Sequence, residues 1–402
     1  MSKKVLIIGK VWPEPKSSAA GIRMMQLIKL IKEAGNEIYF TSTALETEFQ
    51  SDIKKLGVHV SRIELNNDSF DSYIGGLKPD CVVFDRFMTE EQFGWRVDEN
   101  CPNALKILNT EDLHFLRDER KHEVQSKKVK SDLYLRELTS IYRCDLTLLV
   151  SEFERDLLIN KYQIPCDLLH YLPLFAQRNE DLPSFDLRKD FMFIGNFYHE
   201  PNWDAVKVLK ETVWPMIRKE LPEARLNIYG AYPGQKVMDL HNEKEGFIVH
   251  GRIDDADRVT KSAKLSLAPL RFGAGIKGKI LEAMSNGTPC ITTSIGAEAM
   301  LMNNEWCGGV SDDWKKFSSL AVELYTKEEL WSEAQNNGFN ILQKQYRKNL
   351  FANAFIEKMD VLQDSLEEVR NLNIVGQLLN QHTMLSNRFM SKWIMEKNKT
   401  SS

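Results

Sequence analysis

Residues 270 to 290, LRFGAGIKGKILEAMSNGTPC, set Gly273, Gly275 and Gly278 among the cations Arg271, Lys277 and Lys279 and follow them with a single carboxylate, Glu282. The preceding KLSLAPLR reads as a strand ending at Arg271, and IKGKILEAMSNG reads as a helix stopped by Gly287. A glycine loop between a strand and a helix start points unpaired backbone N–H groups and the positive end of the helix dipole at one spot, which is an anion site. Gly273 and Gly275 let an anion approach the backbone, Ala274 and Ile276 complete the loop, and the three cations add full charge where a diphosphate would lie. Glu282, about a turn into the helix, would be repelled by phosphate unless it reaches sideways to hydroxyls, as a ribose diol offers. A tight turn with solvated lysines is the plain alternative.

Three further stretches hold residue types that could work with this loop. NTEDLHFLRDER follows a strand and puts Asp112 and His114 at a crevice edge, although a lone histidine in a loop is more often structural. GNFYHEPN brings Gly195, Asn196, His199 and Asn202 to another strand end, with Pro201 reading as the first residue of a helix. The loop Ser17 to Gly21, after the first strand, can present N–H groups at a helix start. Glu298, in SIGAEAM, is a nearby carboxylate without an assigned role.

The elements that position these residues alternate. KKVLIIG is a short apolar run of the kind buried on both faces of a parallel sheet, and IRMMQLIKLIKEAG follows at helical spacing. EIYFTS with a helix, VHVSRIEL, CVVFD, ALKILN, a long charged helix from about Phe115 to Tyr142, LTLLVS and EFERDLLINKY continue the pattern. After the proline-bearing HYLPLFAQRNEDLPSFD the rhythm restarts at DFMFIGN, placing a boundary near residue 180. The second half predicts strands at 190–195, ARLNIYG, GFIVHG, KLSLAPL and PCITT, with helices at 201–220 and 255–262 and after the glycine loop. This is α/β architecture: residues 1–180 and 181–345 form two Rossmann-like, doubly wound domains facing a cleft, followed by helices over 346–402. In those helices Phe355, Met359, Leu362, Leu366 and Val369 make an apolar stripe, and Leu378, Leu385 and Phe389 make another after Gly376. Packing back across the domains and self-association are the two readings of that region, with association kept open for 370–397.

A chain of 402 residues is comfortable for two domains. Its net charge of −4 offers no global field for nucleic acid, so an anionic ligand must be met locally. The six cysteines form no CxxC pair, and the five-residue apolar run at the start is too short for a signal peptide, so a cytoplasmic protein with reduced thiols is expected. No GxGxxG occurs, which counts against a dinucleotide oxidoreductase.

GAGIKGKILEAMSNGTPCITTSIGAE, FIGNFYHEPNWDAVKVLKETVWPMI and GFIVHGRI together resemble the family-4 retaining glycosyltransferases of the GT-B fold. The likeness covers most of residues 190 to 300, and the N-terminal half matches more loosely through NTEDLHFLRDER and LLVSEFERDLL. The resemblance implies metal-independent transfer of a sugar from a nucleoside diphosphate donor, with retention, to a saccharide, lipid-linked or protein acceptor, in glycan or polysaccharide synthesis. The nucleotide sugar is a substrate, and no cofactor is implied. Glu282 matches the ribose-binding glutamate of the family's E-x7-E motif, the backbone around Arg252 and Ile253 would meet the base, and a His or Asp near His114 contacts the donor sugar. The first glutamate of the motif falls on Ala274. That departure supports a rival, a non-catalytic GT-B scaffold or partner subunit. Lipid-linked acceptors in the family also raise peripheral contact with the inner face of a membrane, although no basic surface patch is evident.

Overall fold

A computed structural model of the chain describes residues 2–127, 131–301, 305–381, 389, 390 and 393. The N-terminal half is built on a seven-stranded sheet, β1 Lys4–Gly9, β2 Glu37–Ser42, β3 His59–Arg62, β4 Cys81–Asp85, β5 Leu105–Asn109, β6 Leu146–Leu149 and β7 Leu169–Tyr171, in the order β3-β2-β1-β4-β5-β6-β7. The C-terminal half has six strands, β8 Lys189–Ile194, β9 Leu226–Tyr229, β10 Phe247–Gly251, β11 Ala263–Ala268, β12 Cys290–Thr292 and β13 Gly308–Val310, in the order β10-β9-β8-β11-β12-β13. Every strand pairing within the two sheets is parallel. In each half the strand order reverses beside the first strand, and loops at the carboxyl ends of the strands on either side open onto the crevice there.

Alternation along β1 shows why this strand lies at the centre. Val5 and Ile7 join one apolar cluster with Leu27, Ile28 and Ile31, while Leu6 and Ile8 join another with Phe84, Phe93 and Leu149. Successive side chains point to opposite faces, so an all-apolar strand requires helices on both.

The chain crosses between halves twice. It leaves after β7 and returns after Tyr346, whose carbonyl accepts the Ala176 N–H at 2.9 Å, so the two crossing segments are hydrogen-bonded to each other. Tyr346 belongs to the C-terminal core, whereas Phe355, Met359 and Leu362 of the next helix, Ala352–Asp364, are buried in the N-terminal core. The apolar stripe therefore packs back on the first domain. Leu378 and Phe389 are exposed, and Leu385 of the second stripe lies outside the described residues.

Local departures from the expected elements have physical causes. The long helix expected over 115–142 is two helices, His114–Val124 and Leu133–Arg143, and Glu137 of the second reaches the start of the first. The helix at 201–220 widens into a π turn at Leu209–Val213, two residues before Pro215, which has no N–H to donate to the preceding turn. β2 and β3 are joined by a single four-residue 3₁₀ turn, Ile53–Leu56, where a helix was expected. β7 and β13, three residues each, carry too little pattern to be read as strands. Among the described residues no helix is long and apolar enough to cross a membrane.

Candidate active site

β11 ends at Ala268, before the expected Arg271, and the following helix starts at Gly278, so the glycine segment is a longer loop than its sequence implies. Gly275 has φ +63°, and a Cβ there would stand 2.9 Å from the Asp112 Cβ of the other half. Both the backbone conformation and the close approach require glycine. At Gly278 a Cβ would meet that of Ala19, the first residue of the helix Ala19–Glu33, at 2.6 Å. Two helix starts, one from each domain, thus meet at this point. Among the described residues the N–H groups of Ile276, Lys277, Gly278 and Lys279 donate to no protein acceptor. Unpaired N–H groups at a helix start are an arrangement that suits an anion.

The three cations behave differently. Lys277 turns inward, with Nζ 2.7 Å from the Gly275 carbonyl and 3.4 Å from that of Ala274. Burial lowers its pKa to about 8, opposed by Glu298 and Glu154. Lys279 is 2.5 Å from Asn202 Oδ1 and 4.0 Å from the centre of the Phe193 ring, and burial lowers its pKa to about 7. Arg271 is exposed at the rim and forks onto Asp204, with Nε 2.8 Å from Oδ2, so its charge is already paired.

Glu282 is half-buried, and among the described residues its carboxylate accepts no hydrogen bond. Burial, then the neighbouring Asp257, raises its pKa to about 7, with Lys279 opposing. A carboxyl group in that condition is suited to hydroxyl partners.

Across the crevice Asp112 contacts Arg117 and lies 3.5 Å from His114 Nε2. Burial works against its charge, but Arg117, His114 and His199 prevail and hold it well below the usual carboxylate range. Burial lowers the pKa of His114 to about 4 despite Asp112, so its imidazole is neutral near pH 7. Leu113, at the N-cap position, has no side chain to cap the helix His114–Val124. Two buried carboxylates do so instead: Glu154 Oε1 accepts the Leu113 N–H at 3.0 Å, and Glu137 accepts those of His114 at 3.2 Å and Phe115 at 3.0 Å.

The GNFYHEPN segment is largely a frame. Asn196 Oδ1 accepts the Tyr198 N–H, the Asn196 carbonyl accepts from Asn202 at 2.7 Å, and a Cβ at Gly195 would meet Asn202 at 2.7 Å. His199 is exposed in the crevice yet enclosed by protein mass, and burial and Arg117 lower its pKa while Asp112 opposes. Gly21 does not offer its N–H to a ligand, because Ser18 Oγ takes it at 3.0 Å, and the glycine is explained by a close approach to the Glu14 backbone. Arg252 forms an ion pair with Asp254 and stacks on Phe49 of the other half at 3.9 Å, with Ile253 beside it after β10. Glu298 finds a partner across the crevice, Arg120, at 2.9 and 2.6 Å.

Arg120, Arg117, Glu137 and Glu154 are the residues that sequence reasoning missed. The two arginines lie inside NTEDLHFLRDER, but nothing in that string tells which of its charges faces the crevice. Ser151 and Glu154 have the spacing of a helix capping box, a local role that hides the long-range one.

Residues 188–327 match the family described as Glycosyl transferases group 1. A curated relative, an uncharacterized 44.6 kDa protein in the cps region of Klebsiella pneumoniae, is 26% identical over 52% of this chain, and the match spans 56% of that relative's length. Among solved structures, sucrose-phosphate synthase from Thermosynechococcus elongatus aligns with a TM-score of 0.68 at 12% identity, over 90% of this chain and 100% of that one. Anabaena HepE, solved with UDP and glucose, aligns at 0.66 and 13% identity over 90% of this chain and 100% of that one. A mutant of S. aureus TarM, solved with Fondaparinux, alpha-GlcNAc-glycerol and UDP, aligns at 0.69 and 10% identity over 89% and 99%.

Proposed function

Residues 188–327 belong to the glycosyltransferase group 1 family and the chain as a whole has the GT-B architecture, and from that premise we propose that the protein is a retaining, metal-independent glycosyltransferase. It moves a sugar from a nucleoside diphosphate donor to a saccharide hydroxyl in surface-polysaccharide assembly. UDP-sugars are the first donors to consider, since the HepE and TarM structures hold UDP, and the cps-region relative points to polysaccharide acceptors.

The observation that carries this reading is the cradle itself. Four unengaged N–H groups, from Ile276 to Lys279, lie beside the inward lysine Lys277 and one turn from the unengaged carboxyl of Glu282. The diphosphate would rest on the N–H groups with Lys277 and Lys279 neutralising the charge that develops as the glycosidic bond to phosphate breaks. Glu282 would take the ribose, and the loop at Arg252 and Ile253 the base.

Double displacement needs a carboxylate free to attack the anomeric carbon. Asp112 is engaged by Arg117 and His114, which makes it a poor nucleophile. The acceptor hydroxyl therefore attacks on the face the diphosphate leaves, its proton passes to a phosphate oxygen, and the C–O bond to phosphate breaks. Neutral His114 can hold a sugar hydroxyl without repelling the positive charge that gathers at the anomeric carbon.

The test is a panel of nucleotide sugars with saccharide acceptors, reading nucleoside diphosphate release and the product anomer by NMR. Transfer with retention is expected. An inverted product would remove the mechanism, and nucleotide binding without turnover of any donor would favour a scaffold.

A further inference from the structure

We infer that Glu154 is a positioning residue, setting the glycine loop of the donor cradle against the start of the His114 helix so that the cradle takes its working form only when the two domains meet. This rests on the glycosyltransferase reading above. Glu154 belongs to the N-terminal half, on the helix Glu152–Asn160, and is fully buried. Its Oε1 accepts the Leu113 N–H at 3.0 Å and the Gly275 N–H at 2.8 Å, so one oxygen ties the acceptor-side loop to the donor-side loop. On the other flank of Ala274, Arg120 Nη1 donates to the Gly273 carbonyl at 2.8 Å while the guanidinium forks onto Glu298.

The loop is thus held on both sides of Ala274 by side chains of the opposite domain. The Ala274 methyl completes the contact, packing into the N-terminal apolar cluster with Leu113 and Phe115. Local structure alone would send Glu154 elsewhere. Ser151 Oγ caps its helix by accepting the Glu154 N–H at 3.3 Å, and the glutamate of such a box ordinarily reaches back to the cap residue's own N–H. Here it reaches across the crevice instead, and Oε2 is left buried without a hydrogen-bond partner. An incompletely satisfied buried carboxyl is unfavourable for stability, which points to a task at the site.

Two effects of Glu154 on a diphosphate have opposite signs, and this makes the inference testable. As a mere buried charge near the cradle, it would repel the anion, and its removal would tighten binding. As the residue that shapes the loop, its removal should misplace the N–H groups and weaken binding. Glu154→Ala and Glu154→Gln, which keeps an oxygen acceptor without the charge, are compared with Tyr232→Phe. That last variant loses a contact between the halves, Tyr232 to Glu14 at 2.7 Å, away from the glycine loop. UDP affinity is read by calorimetry and transfer by steady-state kinetics, with thermal unfolding to confirm folding.

The expected result is a fall in kcat/KM of roughly 10- to 100-fold and weaker UDP binding for Glu154→Ala, the scale of a small misplacement of binding groups. Glu154→Gln should stay within about threefold of wild type, and Tyr232→Phe likewise. Tighter UDP binding by Glu154→Ala, equal losses for Ala and Gln, or an equal loss for Tyr232→Phe would each overturn the inference. If the wild-type protein binds no nucleoside diphosphate and transfers no sugar, the glycosyltransferase reading itself fails, and this inference falls with it.

Discussion

The two sides of the crevice are built in opposite ways. The proposed donor side is a contiguous string, Gly273 to Glu282, with backbone N–H groups left open by the loop and helix start. The facing side, the proposed acceptor side, is assembled from distance: Asp112 and His114 come from a loop end and the helix start after it, Glu137 and Glu154 from two other helices, and His199 from the other domain. A site made of local backbone tolerates side-chain change wherever the loop keeps its form. A site made of buried polar side chains does not, because the carboxyls of Glu137 and Glu154 satisfy backbone groups that would otherwise be orphaned.

The largest effect that separates these cases is expected at the buried donor-side lysine that the proposal sets against the developing charge. Lys277→Ala should lower kcat by roughly 10²- to 10³-fold, the scale for removing one preorganised donor to developing negative charge, with little change in thermal stability. The charge is present below the lysine pKa of about 8 and lost as pH rises through it. Donor kcat/KM, which reports free-enzyme groups, should therefore fall above about pH 8. In Lys277→Arg the step at about pH 8 should move out of range, since a guanidinium stays protonated, leaving only the fall contributed by Lys279, whose pKa is about 7. A wild-type profile flat to pH 10 would remove Lys277 from the step.

On the acceptor side His114→Ala should cost roughly 10²-fold in kcat. Lower in the order stands Ala274→Glu, which writes the family's first motif glutamate back into the loop. Ala274 packs into the N-terminal apolar cluster, so a carboxylate there would have to be buried without a partner or hold the domains apart. Activity should fall about tenfold with donor KM raised. A gain in turnover would show that the loop accommodates a second carboxylate and that the inter-domain packing is dispensable.

The same contrast explains what could be read from the sequence. Alternating strands and helices, the crevice and the glycine loop were legible because their signals are local: apolar runs, periodicity, and glycines beside cations. The GT-B architecture and the glycosyltransferase group 1 match agree with that reading. Arg271 looked equivalent to Lys277, and only the fold shows that Asp204, 67 residues earlier, has claimed its charge. Gly21 looked like a phosphate contact, yet its N–H closes its own helix cap. Glu137 and Glu154 sit in ordinary helical strings and acquire their roles from partners 22 to 121 residues away. Spacing within a segment carries no information about such partners.

Glu282 gives the smallest expected effect and the sharpest test of the donor side. If its unengaged carboxyl pairs with the ribose diol, Glu282→Ala removes that hydrogen bond, on the order of 1.5 kcal/mol or more, and raises donor KM about tenfold. Because ribose is remote from the breaking bond, binding would be lost equally in ground and transition states, leaving kcat nearly unchanged. A 2′-deoxy donor should impose a comparable KM penalty on the wild-type protein and little further penalty on the variant, since the shared contact can be lost only once. Additive penalties would place the ribose elsewhere, and would leave Glu282 as a half-buried carboxyl raised by burial and Asp257 with no part in donor binding.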